Sequence, residues 1–130
     1  MIVFRLSKSK FANDLSGKGA EKSGGRWNSK GTALVYTSES RALCTTEIAV
    51  HTPLGNLPHD YQLISIEIPE NVHSQERVSA DLPADWKSIP HVYSTQAIGD
   101  KFVADGIYPV LKVPSAVVQD EFNFLINPAH

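Results

Sequence analysis

The chain is poor in several features, and each shortage removes a class of function. Its 130 residues include one cysteine, Cys44, so no intrachain disulfide can form. Such usage suits a reducing compartment. No apolar run approaches the roughly 20 residues of a membrane-spanning helix, and the opening stretch Met1 to Leu6 is too short for the core of a secretion signal. There is no basic excess: 12 Lys and Arg stand against 14 Asp and Glu, giving a net charge of −2. A nucleic-acid-binding domain is ordinarily basic, with clustered cations. The one cationic cluster here is Lys8, Lys10, Lys18, Lys22, Arg26 and Lys30, which is dilute and fits a local anion site better. Glycine-rich dinucleotide and phosphate loops are missing, and the histidines at 51, 59, 73, 91 and 130 lack metal-ligand spacing. These absences point to a soluble, cytoplasmic, single-domain protein over residues 1–130, with no membrane segment, no metal and no nucleic-acid face.

What is present is a hydrophobic fraction of 42%, enough for a core that buries about two-thirds of the unfolded surface. Strands are expected at Ile2 to Leu6, Thr32 to Thr37, Tyr61 to Pro69, Val110 to Val113, Ala116 to Val118 and Phe124 to Ile126, with a further edge within Val72 to Ser79. Two helices are expected. One runs from about Ser40 to Val50 with Ser38 as its N-cap; the other follows Ser94, from about Thr95 to Asp105, and stops at Gly106. Strands outnumber helices, so the fold class is α+β with a mixed, largely antiparallel sheet.

The stretch from Ser23 to His51 concentrates the candidates for chemistry. Arg26 follows Gly24 and Gly25; glycines admit a ligand close to the backbone, and a guanidinium grips phosphate oxygens in pairs. Tyr36 ends an apolar strand, where its ring can stack on a flat heterocycle. Glu47 lies at the border of a buried helix face, the position of a carboxylate that stabilises an oxocarbenium ion in glycosidic cleavage. His51 stands one helical turn further on and can orient Glu47. Ser115 can bond substrate or Glu47, and Asn127-Pro128 reads first as a turn. Trp27 and Trp86 are core or pocket wall. Each residue alone has a commoner structural explanation. Residue chemistry by itself therefore supports an α+β domain with an anion-binding candidate.

Several separate motifs go further, because they occur together and in order: FANDLSGKGA (11–20), GGRWNSKG (24–31), VYTSESRAL (35–43), the segment with Glu47 and His51, LPHDY (57–61), LPADW (82–86), STQAIGD (94–100) and the closing VPSAVVQDEFNFLINPAH. With them the chain resembles the RES-domain family of bacterial toxins, named for an Arg, a Glu and a Ser, over nearly its whole length. The resemblance places that Arg on Arg26, the Glu on Glu47 and the Ser on Ser115. It places the active-site Tyr on Tyr36, a nearby His on His51 and the closing Asn on Asn127. One departure is that the chain stops at His130, directly after the closing motif, where relatives usually continue.

The resemblance implies one RES domain over 1–130 with an ADP-ribosyltransferase-like split sheet. It implies an enzyme that breaks the nicotinamide–ribose bond of NAD, by hydrolysis or by phosphorolysis with inorganic phosphate, and so depletes it. NAD is then the substrate, no metal is needed, and the partner is a helix-turn-helix antitoxin. In that reading Arg26 holds the diphosphate or the nicotinamide ribose, Tyr36 stacks on nicotinamide, and Glu47 stabilises the ribosyl cation. Ser115 and Asn127 position Glu47 or the ribose, and Trp27 adds to the nucleotide pocket. The alternatives are a mono-ADP-ribosyltransferase acting on a metabolic protein, and a non-catalytic module that binds a nucleotide or the antitoxin.

Overall fold

Alternating apolar positions along most of the strands build one six-stranded sheet, in the order β3-β1-β2-β6-β5-β4. The strands are β1 (Ile2–Lys8), β2 (Val35–Ser38), β3 (Tyr61–Glu67), β4 (Ser74–Glu76), β5 (Val110–Pro114) and β6 (Phe122–Ile126). Among the described residues three α-helices accompany them: α1 (Lys18–Ser23), α2 (Arg41–Val50) and α3 (Tyr93–Asp105). The structure, a computed structural model, describes residues 1–50 and 60–130. Every strand pairing is antiparallel except β4 with β5. The ladder between β1 and β2 is a single registered pair, Phe4 opposite Ser38, so the sheet divides there into β3-β1 and β2-β6-β5-β4. The α+β, largely antiparallel, split-sheet expectation holds.

Register decides which side chains share a face. Tyr36 stands opposite Leu125 and Ser38 opposite Asn123; Leu111 and Val113 stand opposite the same two β6 residues. On this face Leu111, Val113 and Leu125 are fully buried and pack with Trp27, Leu34, Trp86 and Phe102. The other face carries a smaller cluster of Val3, Ile68, Val110 and Phe124.

Helix α3 locks the loop that contains Arg26 and Trp27 onto this core. Gln96 Nε2 donates to the carbonyls of Gly25 (3.0 Å) and Asn28 (3.2 Å), and Asp100 accepts the backbone N–H of Ser29 at 2.9 Å. Between them Gly99 meets the loop directly: a Cβ on it would stand 1.6 Å from the Trp27 carbonyl oxygen. Positions 96, 99 and 100 share one stripe of a helix, so the motif STQAIGD is the dock for the loop.

Several local expectations shift. Ser38 is the last residue of β2 rather than a helix cap, and Ser40 takes that role, accepting the Leu43 N–H at 3.1 Å. Residues 18–23 form α1, a helix beyond the two expected. Residues 116–118 turn instead of forming a strand, and β6 begins at Phe122 instead of Phe124. On α2 the buried side chains are Leu43 and Cys44, while Val50 is exposed. Helix α3 begins at Tyr93, two residues ahead of expectation; Ser94 bonds Asp85, and Gly106 ends the helix in the left-handed region. No helix among the described residues is long and apolar enough to cross a membrane.

Gly99→Ala forces the helix and the loop apart against backbone atoms that cannot yield. The expected cost is about 2 kcal/mol or more, read as a lower urea midpoint with an unchanged slope. Burial pushes the Cys44 thiol up to about 11. At pH 8 it is expected to react with a thiol reagent far more slowly in the native protein than in denaturant.

Candidate active site

A half-open hollow of about 120 Å³ lies between α2 and the sheet, lined by Leu6, Tyr36, Thr37, Ser38, Cys44, Glu47, Ile48 and Asn123. Glu47 is the one carboxylate in its wall. Ser115 Oγ donates to Glu47 Oε1 at 2.7 Å, and Asn123 Nδ2 donates to the same oxygen at 2.8 Å. A carboxylate that accepts two such bonds at one oxygen is held in a single rotamer with its charge matched by donors.

Both donors are oriented by their own partners. The Ser115 oxygen accepts the backbone N–H groups of Val117 and Val118, each at 3.0 Å. Its lone pairs are thus engaged, and its one proton goes to Glu47. Ser38 Oγ donates to Asn123 Oδ1 at 2.8 Å, which turns the Nδ2 end of that amide toward Glu47. Ser115 is a buried donor in this arrangement: two backbone N–H groups occupy the lone pairs it would need to attack as a nucleophile.

Tyr36 lines the hollow with its ring, but its hydroxyl serves the protein. It accepts the Trp27 N–H at 3.0 Å and donates to Asn28 Oδ1 at 2.5 Å. Asn28 is fully buried, and its Nδ2 donates to the carbonyls of Ala20 (2.8 Å) and Thr32 (2.9 Å). Gly25 is required beside this knot, because a Cβ there would lie 2.6 Å from the Tyr36 oxygen. The hydroxyl is what ties the Gly24–Asn28 turn to β2.

Arg26 is half-buried, and its Nη1 donates to the carbonyls of Trp86 (2.8 Å) and Ser88 (2.9 Å). Burial lowers its pKa; the Glu47 carboxylate and the Tyr36 phenol act in the opposite sense. Arg26, Tyr36 and Glu47 therefore share one electrostatic neighbourhood, drawn from three successive pieces of the chain. The motif LPADW takes part through the Trp86 carbonyl.

Of the expected site residues, Tyr36 and Glu47 line the hollow; Arg26 and Ser115 stand behind its wall, linked to it by the field at Glu47 and by the bond to Glu47, and Trp27 and Asn127 lie apart from it. The Trp27 ring is 2% exposed and packs in the core; what it gives the site is its backbone N–H. Asn127 is buried in the closing turn, where Oδ1 accepts the Ala129 N–H at 3.0 Å and Nδ2 reaches the Val103 carbonyl at 3.4 Å. His51 falls outside the described residues. Sequence reasoning missed Asn123 and Ser38. Extending the alternation of β6 back from Leu125 would have put Asn123 on the site face, but the strand was expected only from Phe124. Among the described residues no cluster of His, Cys, Asp and Glu is arranged to hold a metal ion.

The protein-family model described as "RES domain" matches residues 2–130. A Sphingobium protein named "Prs ADP-ribosylating toxin" is 41% identical over 121 residues, covering 92% of this chain and 75% of that protein. A protein of Photorhabdus laumondii named "Toxin Res" is 37% identical over 129 residues, covering 98% and 82%. Among solved structures, a chain of the Mycobacterium tuberculosis MbcT-MbcA toxin-antitoxin complex superposes with a TM-score of 0.76 over 96% of this chain and 72% of its own, at 21% identity. That last likeness is one of fold.

Tyr36→Phe leaves the Trp27 N–H and the Asn28 side chain without their partner. The expected loss is about 1–3 kcal/mol. Burial, the dominant cause, holds the Tyr36 phenol well above its ordinary range, with Trp27 pulling it partly back. The unfolded chain starts to lose this proton near pH 10 while the native one keeps it. Stability is therefore unaffected by this group below that pH and falls above it. Urea unfolding at pH 8 and pH 10.5 is expected to show a smaller drop in Tyr36→Phe than in the parent.

Proposed function

This chain belongs to the RES-domain family, and we propose that it is a toxin of a toxin–antitoxin pair that cleaves the nicotinamide–ribose bond of NAD. The observation that carries the reading is Glu47. It is a carboxylate in the wall of a hollow, fixed by Ser115 and Asn123, beside the Tyr36 ring and within the field of Arg26. The apolar remainder of the wall, Leu6 and Ile48 with the Tyr36 ring, suits a flat heteroaromatic group at a site of this size.

In the proposed step the bond between ribose C1′ and the nicotinamide nitrogen breaks. Its electron pair goes to the ring, which leaves neutral. The positive charge that develops on the ribose is met by Glu47, held so that little reorganisation is needed. An acceptor oxygen then bonds C1′ and gives up its proton. Arg26, fixed through Nη1, binds the diphosphate or the nicotinamide ribose with the rest of its fork. Ser115 positions Glu47. His51 is assigned the orienting role that the resemblance implies. The geometry lends no such support to Trp27 or Asn127 as ligand contacts.

Water or inorganic phosphate as acceptor depletes NAD. A second reading has a protein as acceptor, and the name of the Sphingobium relative favours it. The proposed protein partner is a helix-turn-helix antitoxin; the fold neighbour comes from a toxin–antitoxin complex.

The test is chromatography of the products after mixing NAD with the purified protein, with and without phosphate. Free nicotinamide is expected, and the accompanying ADP-ribose species identifies a small acceptor. Label from NAD retained on protein marks the second reading. Glu47→Gln and Arg26→Ala are each expected to lose at least about 100-fold in turnover while keeping native circular dichroism. Wild-type turnover in Glu47→Gln would reject the mechanism.

A further inference from the structure

We propose that Asn123 and Ser38 form a positioning relay for Glu47, with Ser38 acting only through Asn123. The inference rests on the NAD-cleaving reading for its kinetic arm, but the relay itself is a statement about the folded protein.

Three observations carry it. First, Asn123 Nδ2 donates to the same Glu47 oxygen that Ser115 uses, Oε1. Second, Asn123 Oδ1 is occupied by the Ser38 hydroxyl at 2.8 Å. An amide can present either end to a neighbour, and a donor on its oxygen removes that ambiguity. Third, the strands fix the spacing: Ser38 and Asn123 are registered partners across β2 and β6, so their side chains rise side by side on the face that α2 covers. Ser38, Asn123 and Glu47 all line the same hollow, so the relay lies in the wall where a ligand would sit. Because both donors act on Oε1, the relay leaves Oε2 as the oxygen that meets the ligand, and its position is set by the strands as much as by the helix.

The relay differs from ordinary packing in what its loss does. Without the Asn123 donor, Glu47 keeps one anchor and can swing about its Ser115 bond. Without Ser38, the amide is free to turn its oxygen toward the carboxylate, which replaces an attraction by a repulsion. Both changes spoil the placement of charge at the reacting carbon, and neither removes a ligand contact of Arg26 or Tyr36.

The test compares Ser38→Ala, Ser38→Thr, Asn123→Asp and the double variant Ser38→Ala with Asn123→Asp. Asn123→Asp keeps the shape but exchanges the donor for an acceptor. It is expected to lower kcat on the order of 10- to 100-fold with KM for NAD nearly unchanged. Ser38→Ala shifts kcat in the same sense, and Ser38→Thr, which keeps the hydroxyl, restores it. The double variant is expected to be no worse than Asn123→Asp alone, because the proton of the Ser38 hydroxyl is given to the amide. Additive losses, or wild-type kcat in Asn123→Asp, would overturn the relay.

A second arm needs no activity and covers a variant that fails to fold. In the parent protein, nuclear magnetic resonance is expected to show the Asn123 side-chain amide protons exchanging slowly with water. They should exchange faster in Glu47→Ala and in Ser38→Ala. Fast exchange in the parent, or rates unmoved by both changes, would refute the relay. If the parent releases no nicotinamide but the amide behaves as expected, the NAD reading fails and the relay stands.

Discussion

One phenolic oxygen holds the site in shape. The Tyr36 hydroxyl takes a backbone N–H from Trp27 and gives its proton to Asn28. Asn28 in turn holds the Ala20 and Thr32 carbonyls. A turn that would otherwise be a surface loop is thereby anchored to a strand in the sheet. Arg26 sits inside that turn, so its distance from Glu47 is set by how the turn is tied down rather than by the length of its own side chain. Burial makes the arrangement cooperative: with every polar group matched, loss of one partner leaves another orphaned in a medium that does not compensate it.

The same economy runs through the docking of α3. Its bonds to the loop run largely to backbone, through Gln96 on two carbonyls, Asp100 on an N–H and Gly99 against a carbonyl. Backbone contacts constrain position without prescribing the loop's side chains. They leave Trp27 free to plug the core while Arg26, one residue earlier, turns to the Trp86 and Ser88 carbonyls.

Much of this was legible beforehand, for identifiable reasons. The glycine pair before Arg26 was read as room for a ligand close to the backbone; at Gly25 the room is taken by the Tyr36 oxygen. Glu47 at the edge of an apolar helix face marked a carboxylate held near the interior. Ser115 was anticipated as a partner for it, and the bond is present. What escaped depended on pairing between distant segments. Asn123 and Ser38 are separated by 85 positions in sequence and meet only because β2 and β6 are neighbours in one register. Asn127 attracted attention through its place in a motif, yet it spends its hydrogen bonds on the closing turn and on the Val103 carbonyl of α3. Ser38 was read as a cap because a serine two residues further on competes for the same role, and the local pattern does not separate them.

Ser115 and Asn123 stand at the two ends of one tight connection, with the Ser115 N–H bonded to the Glu121 carbonyl at 2.8 Å and Asp120 in the left-handed region at φ 64. Surface turns of this kind usually drift freely in length among related chains. Here an added or missing residue would rotate both ends and carry off the two supports of Glu47 together. Length in this turn is thus under the same constraint as a residue in the site, though not one of its exposed side chains touches the hollow.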